Sequence, residues 1–208
     1  MKVVKNASFS DLGFKKSEGW KTNCVTGFIF AIFHNAVYLA ISMFIFKVKH
    51  GYMLPAYVHI PVYFAFYLLI SVSEEGLFRG CIFKGLLQKH KALTSIIFSF
   101  TLFGLYHINY ISLVLNFSPL AMLFQTAYVF QSFTAGLFLA YLYYHAKGNI
   151  LSPLSYHFSQ MFFNIPFLWT ETQPATQIIL LGISSTLNTA QIIALFLIRK
   201  LKETKHEK

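Results

Sequence analysis

An all-α, polytopic membrane bundle of about six transmembrane helices is the fold class this sequence predicts. Three observations carry that prediction. Hydrophobic residues make up 56% of the 208 residues and charged residues only 12%. The apolar runs are too long and too numerous to share one soluble core, and each approaches the ~20 residues that a helix needs to cross a bilayer. The basic residues also gather on one side. With six spans and an internal N-terminus, 15 of the 17 Lys and Arg fall on the cytoplasmic side, and only Lys47 and Lys49 fall outside. This is the positive-inside asymmetry. The net charge of +10 therefore reads as membrane orientation, with both termini cytoplasmic, and not as nucleic-acid binding.

The elements follow in order. Residues 1–22 form a polar, basic arm with no small-residue cleavage site, so the first span is expected to remain as an anchor. Spans are expected at Asn23–Phe46, Tyr52–Ser73, Ala92–Leu115, Pro119–Tyr144, Asn149–Trp169 and Thr176–Ile198. Polar residues interrupt the third. The stretch Lys84–Lys91 reads as an interfacial amphipathic helix. The helical domain covers 23–199, and a basic cytoplasmic tail covers 200–208. There is no internal repeat. Cys24 and Cys81 make no metal or redox spacing. The tail "KETKHEK" has no lipidation box.

The stretch "LLISVSEEGLFRGCIF", Leu68–Phe83, places Glu74, Glu75 and Arg79 where apolar residues belong. Ionisable residues inside a membrane segment are costly and mark functional sites. A second span ending at Ser73 would leave them solvated at the interface. Successive helical residues differ by ~100°, so the two carboxylates point different ways. Arg79 lies four residues after Glu75 on one face, acid before base, the favourable order for pairing. Glu74 is left to face something else. Gly76 and Gly80 make a G-x-x-x-G that lets another helix approach.

Two of the eight histidines stand in informative contexts. His107 follows Phe103 by one turn in "FGLYH". His157 lies mid-span, with Gln160 at i+3 and Asn164 at i+7. His34 and His59 read as hydrogen-bonded packing residues. An intramembrane Glu with two His on three helices suits water activation: a shielded carboxylate as general base, with an imidazole beside it. A second imidazole and an amide would stabilise the oxyanion of a tetrahedral intermediate. The same three side chains, Glu74, His107 and His157, are also a zinc ligand set with one open position. Zinc thus stays a candidate, with no cofactor fixed. There is no H-E-x-x-H and no G-x-S-x-G, and Asp11 is the only aspartate, which rules out an aspartyl dyad.

These residues resemble a known family. "EEGLFRG" resembles the E-E-x-x-x-R motif of the CAAX protease and bacteriocin-processing (Abi, type II CAAX prenyl endopeptidase) family, and "FGLYH" its F-x-x-x-H. "TAGLFLAYLYYHAKGNILSPLSYH" is similar to the segment that leads to its third motif. The resemblance covers Tyr67 to Asn164. It implies an all-helical intramembrane peptidase with Glu74 activating water and His107 as its partner. Glu75 and Arg79 complete the first motif, and His157 stands on the oxyanion side. The family carries Asn or Asp four residues after that histidine; here the residue is Met161, with Gln160 and Asn164 as neighbouring amides. The family has been described both as metalloproteases and as metal-independent glutamate proteases.

The expected function is therefore an intramembrane endopeptidase in the cell membrane. Its partners would be the bilayer and a peptide or protein precursor, with no nucleic acid. The alternative is a non-catalytic membrane protein for bacteriocin self-immunity or sensor-kinase regulation, acting through a membrane-protein partner. A small transporter is the third reading, disfavoured by the lack of an inverted repeat.

Overall fold

A computed structural model gives the fold. It describes residues 8, 10–14, 19–48, 50–51, 60–109, 118–164, 169–170 and 173–206. Among the described residues, six helices make the bundle. They are α1 (Trp20–Phe44), α2 (Ile60–Leu87), α3 (Ala92–Tyr106), α4 (Pro119–His145), α5 (Leu151–Asn164) and α6 (Pro174–His206). Residues His50–Gly51 (β1) and Trp169–Thr170 (β2) pair antiparallel, which ties the α1–α2 and α5–α6 connections together at one end. His59 and Glu171 lie outside the described residues, as does the start of the second predicted span.

Burial follows the logic of a membrane protein. The outer surface is apolar: Phe28, Ile29, Phe33, Phe66, Leu69 and Phe196 are all exposed. The interior holds polar groups, among them Glu75, Arg79, His34, Asn188 and Gln191. Lipid tails solvate the outside, and every polar group inside needs a protein partner. By length and composition α1, α2 and Pro174–Lys200 of α6 can each cross a bilayer. At 27 residues α4 also has the length. With 14 residues α5 is only ~21 Å long, but no described side chain on it is exposed. It is the central helix, packed against α1, α2 and α4. That shielding is why "LSPLSYHFSQMFFN" tolerates so many polar residues.

A buried polar network ties α5 to its neighbours. The Tyr156 hydroxyl lies 3.2 Å from His34 Nδ1, 3.0 Å from Asn188 Oδ1 and 3.1 Å from Gln191 Oε1. Asn188 donates onward to Thr134 and Gln191 to the Phe30 carbonyl. His34 also meets the Ser184 hydroxyl at 3.1 Å. It is a packing histidine, as its sequence context implies.

Four sequence expectations are corrected. First, α2 does not end at Ser73. It continues to Leu87, α-helical over Ile60–Glu75, π-helical over Gly76–Phe83 and α-helical again over Lys84–Leu87. Second, Lys84–Lys91 is accordingly the last turn of α2 and a bend, not a separate amphipathic helix. Third, α3 stops at Tyr106, and His107 caps it instead of lying mid-span. The imidazole Nδ1 of His107 donates to the Phe103 carbonyl at 2.8 Å. Fourth, the G-x-x-x-G receives an arm segment and no helix. A Cβ on Gly80 would lie 2.8 Å from the Leu12 carbonyl oxygen, and one on Gly76 would touch Phe14. Residues 10–14 lodge between α2 and the α4–α5 turn, where Ile150 N–H donates to the Gly13 carbonyl.

The α1–α5 contact is the tightest crossing. A Cβ on Gly27 would run into the Ser152 carbonyl and the Ser155 hydroxyl, and that hydroxyl donates to the Cys24 carbonyl at 2.7 Å. Gly27→Ala is therefore expected to destabilise the bundle by about 1–3 kcal/mol through overpacking. Gly182→Ala, on the open face of α6 where a new Cβ meets nothing within 4 Å, should be neutral or slightly stabilising. Thermal melts of the two purified variants check this; equal melting points would refute the packing argument.

Candidate active site

Three helices deliver the site. Glu74 and Glu75 sit at the junction where α2 widens into its π-helical segment. His107 caps α3, and His157 comes from the middle of α5. Residues that are 33 to 83 positions apart in the chain converge on Glu74.

Glu75 and Arg79 form the expected pair, both fully buried, with Arg79 Nε 3.2 Å from Glu75 Oε2. Arg79 Nη1 donates to Glu75 Oε1 at 3.3 Å and Nη2 to the Gly136 carbonyl at 3.1 Å. The guanidinium lies over the Phe103 ring, 4.4 Å from its centroid, a cation–π contact that strengthens when desolvated. Gly136 has to be glycine here, because a Cβ would press into that same Phe103 ring at 2.9 Å.

Glu75 has a second partner that sequence reasoning missed. Its Oε1 accepts a hydrogen bond from His157 Nδ1 at 2.8 Å. That bond fixes the tautomer: Nδ1 carries the proton, and Nε2 presents a lone pair. The bond from His107 Nδ1 to the Phe103 carbonyl does the same for the other ring. Both Nε2 atoms face Glu74. His107 Nε2 is 3.9 Å and His157 Nε2 3.8 Å from Glu74 Oε2. That oxygen is buried and accepts no hydrogen bond from the described residues. Three acceptors thus surround one small space with no donor between them.

The donor set has the right chemistry for zinc but a loose fit. Zinc bonds of ~2.0–2.1 Å in a tetrahedron place donor atoms about 3.3–3.4 Å apart, and the separations here are wider by about half an ångström. Among the described residues no group of three or more His, Cys, Asp and Glu is arranged to hold a metal ion.

The remaining candidates fall elsewhere. Gln160 stands one turn after Tyr156 on α5, beside the polar network next to the site. Asn164 ends α5, and its side chain lies outside the described residues. Met161 Sδ contacts the Ser71 hydroxyl at 4.0 Å. Ser71 is fully buried one turn before Glu74, a neighbour that no motif signalled. The Tyr128 ring packs against His107, with centroids 6.1 Å apart.

No curated protein and no solved structure matches the chain. A family model described as type II CAAX prenyl endopeptidase Rce1-like matches residues 56–163. That segment is just over half the chain and contains Glu74, Glu75, Arg79, His107 and His157. With this match and the helical membrane fold that presents those residues, the chain belongs to the type II CAAX prenyl endopeptidase Rce1-like family.

Proposed function

We propose that this protein is an intramembrane endopeptidase that hydrolyses a peptide bond with a water activated by Glu74. The observation that carries the reading is the convergence of the Glu74 carboxylate and two imidazole Nε2 atoms on one space. A water held there donates one hydrogen to Glu74 and the other to His107 Nε2. Its oxygen lone pair then points away from all three acceptors, toward an incoming carbonyl.

Charge balance supports the proton's path. Two carboxylates and one guanidinium leave one uncompensated negative charge in a low-dielectric site. Uptake of the water proton by Glu74 neutralises it, relieving the cost of a buried unpaired charge. The hydroxide attacks the carbonyl carbon, and the oxyanion forms. Glu75 orients His157 as a carboxylate orients the histidine of a catalytic triad. The water proton passes from Glu74 to His157 Nε2, 3.8 Å away, and Glu75 compensates the imidazolium so formed, whose Nε2–H donates to the oxyanion. The same proton returns through Glu74 to the leaving amine as the C–N bond breaks. The substrate is a peptide or protein segment presented at the membrane.

The test is hydrolysis in ¹⁸O-labelled water. The purified protein is incubated with a peptide library, with and without a strong chelator. Cleavage products with ¹⁸O in the new C-terminal carboxylate are expected in both arms. Absence of cleavage across the library would refute the enzymatic reading, and loss of cleavage in the chelator arm alone would assign water activation to a metal.

A further inference from the structure

A second cavity lies at the basic end of the bundle, away from Glu74. It holds ≈ 300 Å³ and is lined by Ser10 of the arm, Lys84 and Leu87 of α2, and Tyr143, Lys147 and Gly148 at the α4–α5 turn. Lys84 is ten residues beyond Glu74, ~15 Å along the helix. The cavity is therefore distinct from the catalytic cluster, and nothing in the peptidase reading uses it.

Two lysines from separate elements line this one void. The ion pairs among the described residues do not include either lysine. Asp11 is close by, but its carboxylate is taken by the Ser8 backbone N–H and hydroxyl at 2.9 and 2.8 Å. The carboxyl is held below its ordinary range by those bonds. Lys84 donates to the Asp11 backbone carbonyl and lies close enough to the Asp11 carboxylate to interact with it electrostatically.

The turn itself adds a second observation. Lys147 has φ of 51° and Gly148 of 78°. A non-glycine residue in the left-handed region is uncommon and strained. Gly148 closes α4 by donating to the Tyr143 carbonyl at 3.1 Å, an ordinary C-terminal device. Lys147 belongs to that closure, since its N–H donates to the Tyr144 carbonyl at 3.2 Å and its left-handed conformation is that of the residue after the helix cap. Glycine would be cheaper at that position, and a lysine there adds a cationic residue to the lining of the void. The void is also at the end that carries Lys89 and Lys91, where anionic headgroups meet basic pockets between helices. Its volume, about ten times a water's share of the liquid, admits a phosphate with its ester arm.

We propose that this cavity binds a phosphate group through Lys84 and Lys147, either as the phosphodiester of an anionic lipid headgroup or as a soluble phosphate. Ser10 and Tyr144, each with a hydroxyl, line the same void.

The experiment follows the melting temperature of the full chain in neutral detergent. Three probes are titrated: phosphatidylglycerol, phosphatidylcholine of the same chain length, whose choline cancels the charge, and inorganic phosphate. Phosphatidylglycerol is expected to raise Tm by roughly 3–5 °C, and phosphatidylcholine far less. Each variant is measured against its own lipid-free melt. The rise should fall by at least half in K84Q/K147Q and persist in K89Q/K91Q, which removes the same charge from the same end. A Lys84- and Lys147-dependent rise with inorganic phosphate would identify a soluble ligand, and one with phosphatidylglycerol alone a headgroup. Equal rises in the wild type and K84Q/K147Q, or no rise with either anionic probe, would overturn the site.

Discussion

Glu74→Gln is expected to lower peptide cleavage by about 10²–10⁴-fold at unchanged membrane abundance. The amide keeps the shape of the carboxylate but cannot take a proton from water. Glu74 is 15% exposed and has no ion-pair partner closer than 3.8 Å, so its neutralisation strands no buried charge. His157→Ala and His107→Ala should also lose most activity, for different reasons. The first removes the group that Glu75 orients. The second removes the acceptor that holds the water against Glu74. Cleavage and cellular phenotype, compared at matched abundance, decide the matter. Full function in all three variants would eliminate the peptidase reading and leave the immunity or regulatory role.

Arg79→Ala should instead cost folding. It leaves Glu75 ionised at zero exposure, with only the His157 bond remaining, and it frees the Gly136 carbonyl in the interior. Removing one member of a buried pair costs about 3–5 kcal/mol, a large share of a typical folded-state stability. The measurement is folded yield in membranes, beside Glu74→Gln. Arg79→Ala is expected to fall well below wild type while Glu74→Gln stays near it; equal losses would erase the division between a structural and a reactive carboxylate. Arg79→Lys should recover only part of the yield, since one ammonium cannot replace the guanidinium's contacts to Glu75, the Gly136 carbonyl and the Phe103 ring.

Much of this was legible in the chain. Long apolar runs fix the existence of membrane helices, and four-residue spacing fixes the Glu75–Arg79 pair, because both depend on local geometry. The bond between Glu75 and His157 was not legible: it spans 82 positions and depends on how α5 rotates against α2. Span length also misled at α3. Ile108 and the residues after it continue the apolar run, yet the helix yields at His107, whose side chain bonds back to the Phe103 carbonyl. The π-helical turn after Glu75 has no compositional signature, since Gly76–Phe83 reads as ordinary helix. The small-residue motif signals close approach correctly but cannot say what approaches, and here it is Leu12.

The seat of residues 10–14 reverses the order of synthesis. That segment leaves the ribosome before the helices that hold it, yet its floor is Gly80 and its wall is Gly148 and Ile150, which are made later. Until α5 has been translated and inserted, the segment has nowhere to lodge. A chain whose residues 10–14 are seated has therefore already closed its α4–α5 turn against α2, so a proteolytic cut near Leu12 would discriminate molecules with a completed turn from those without one.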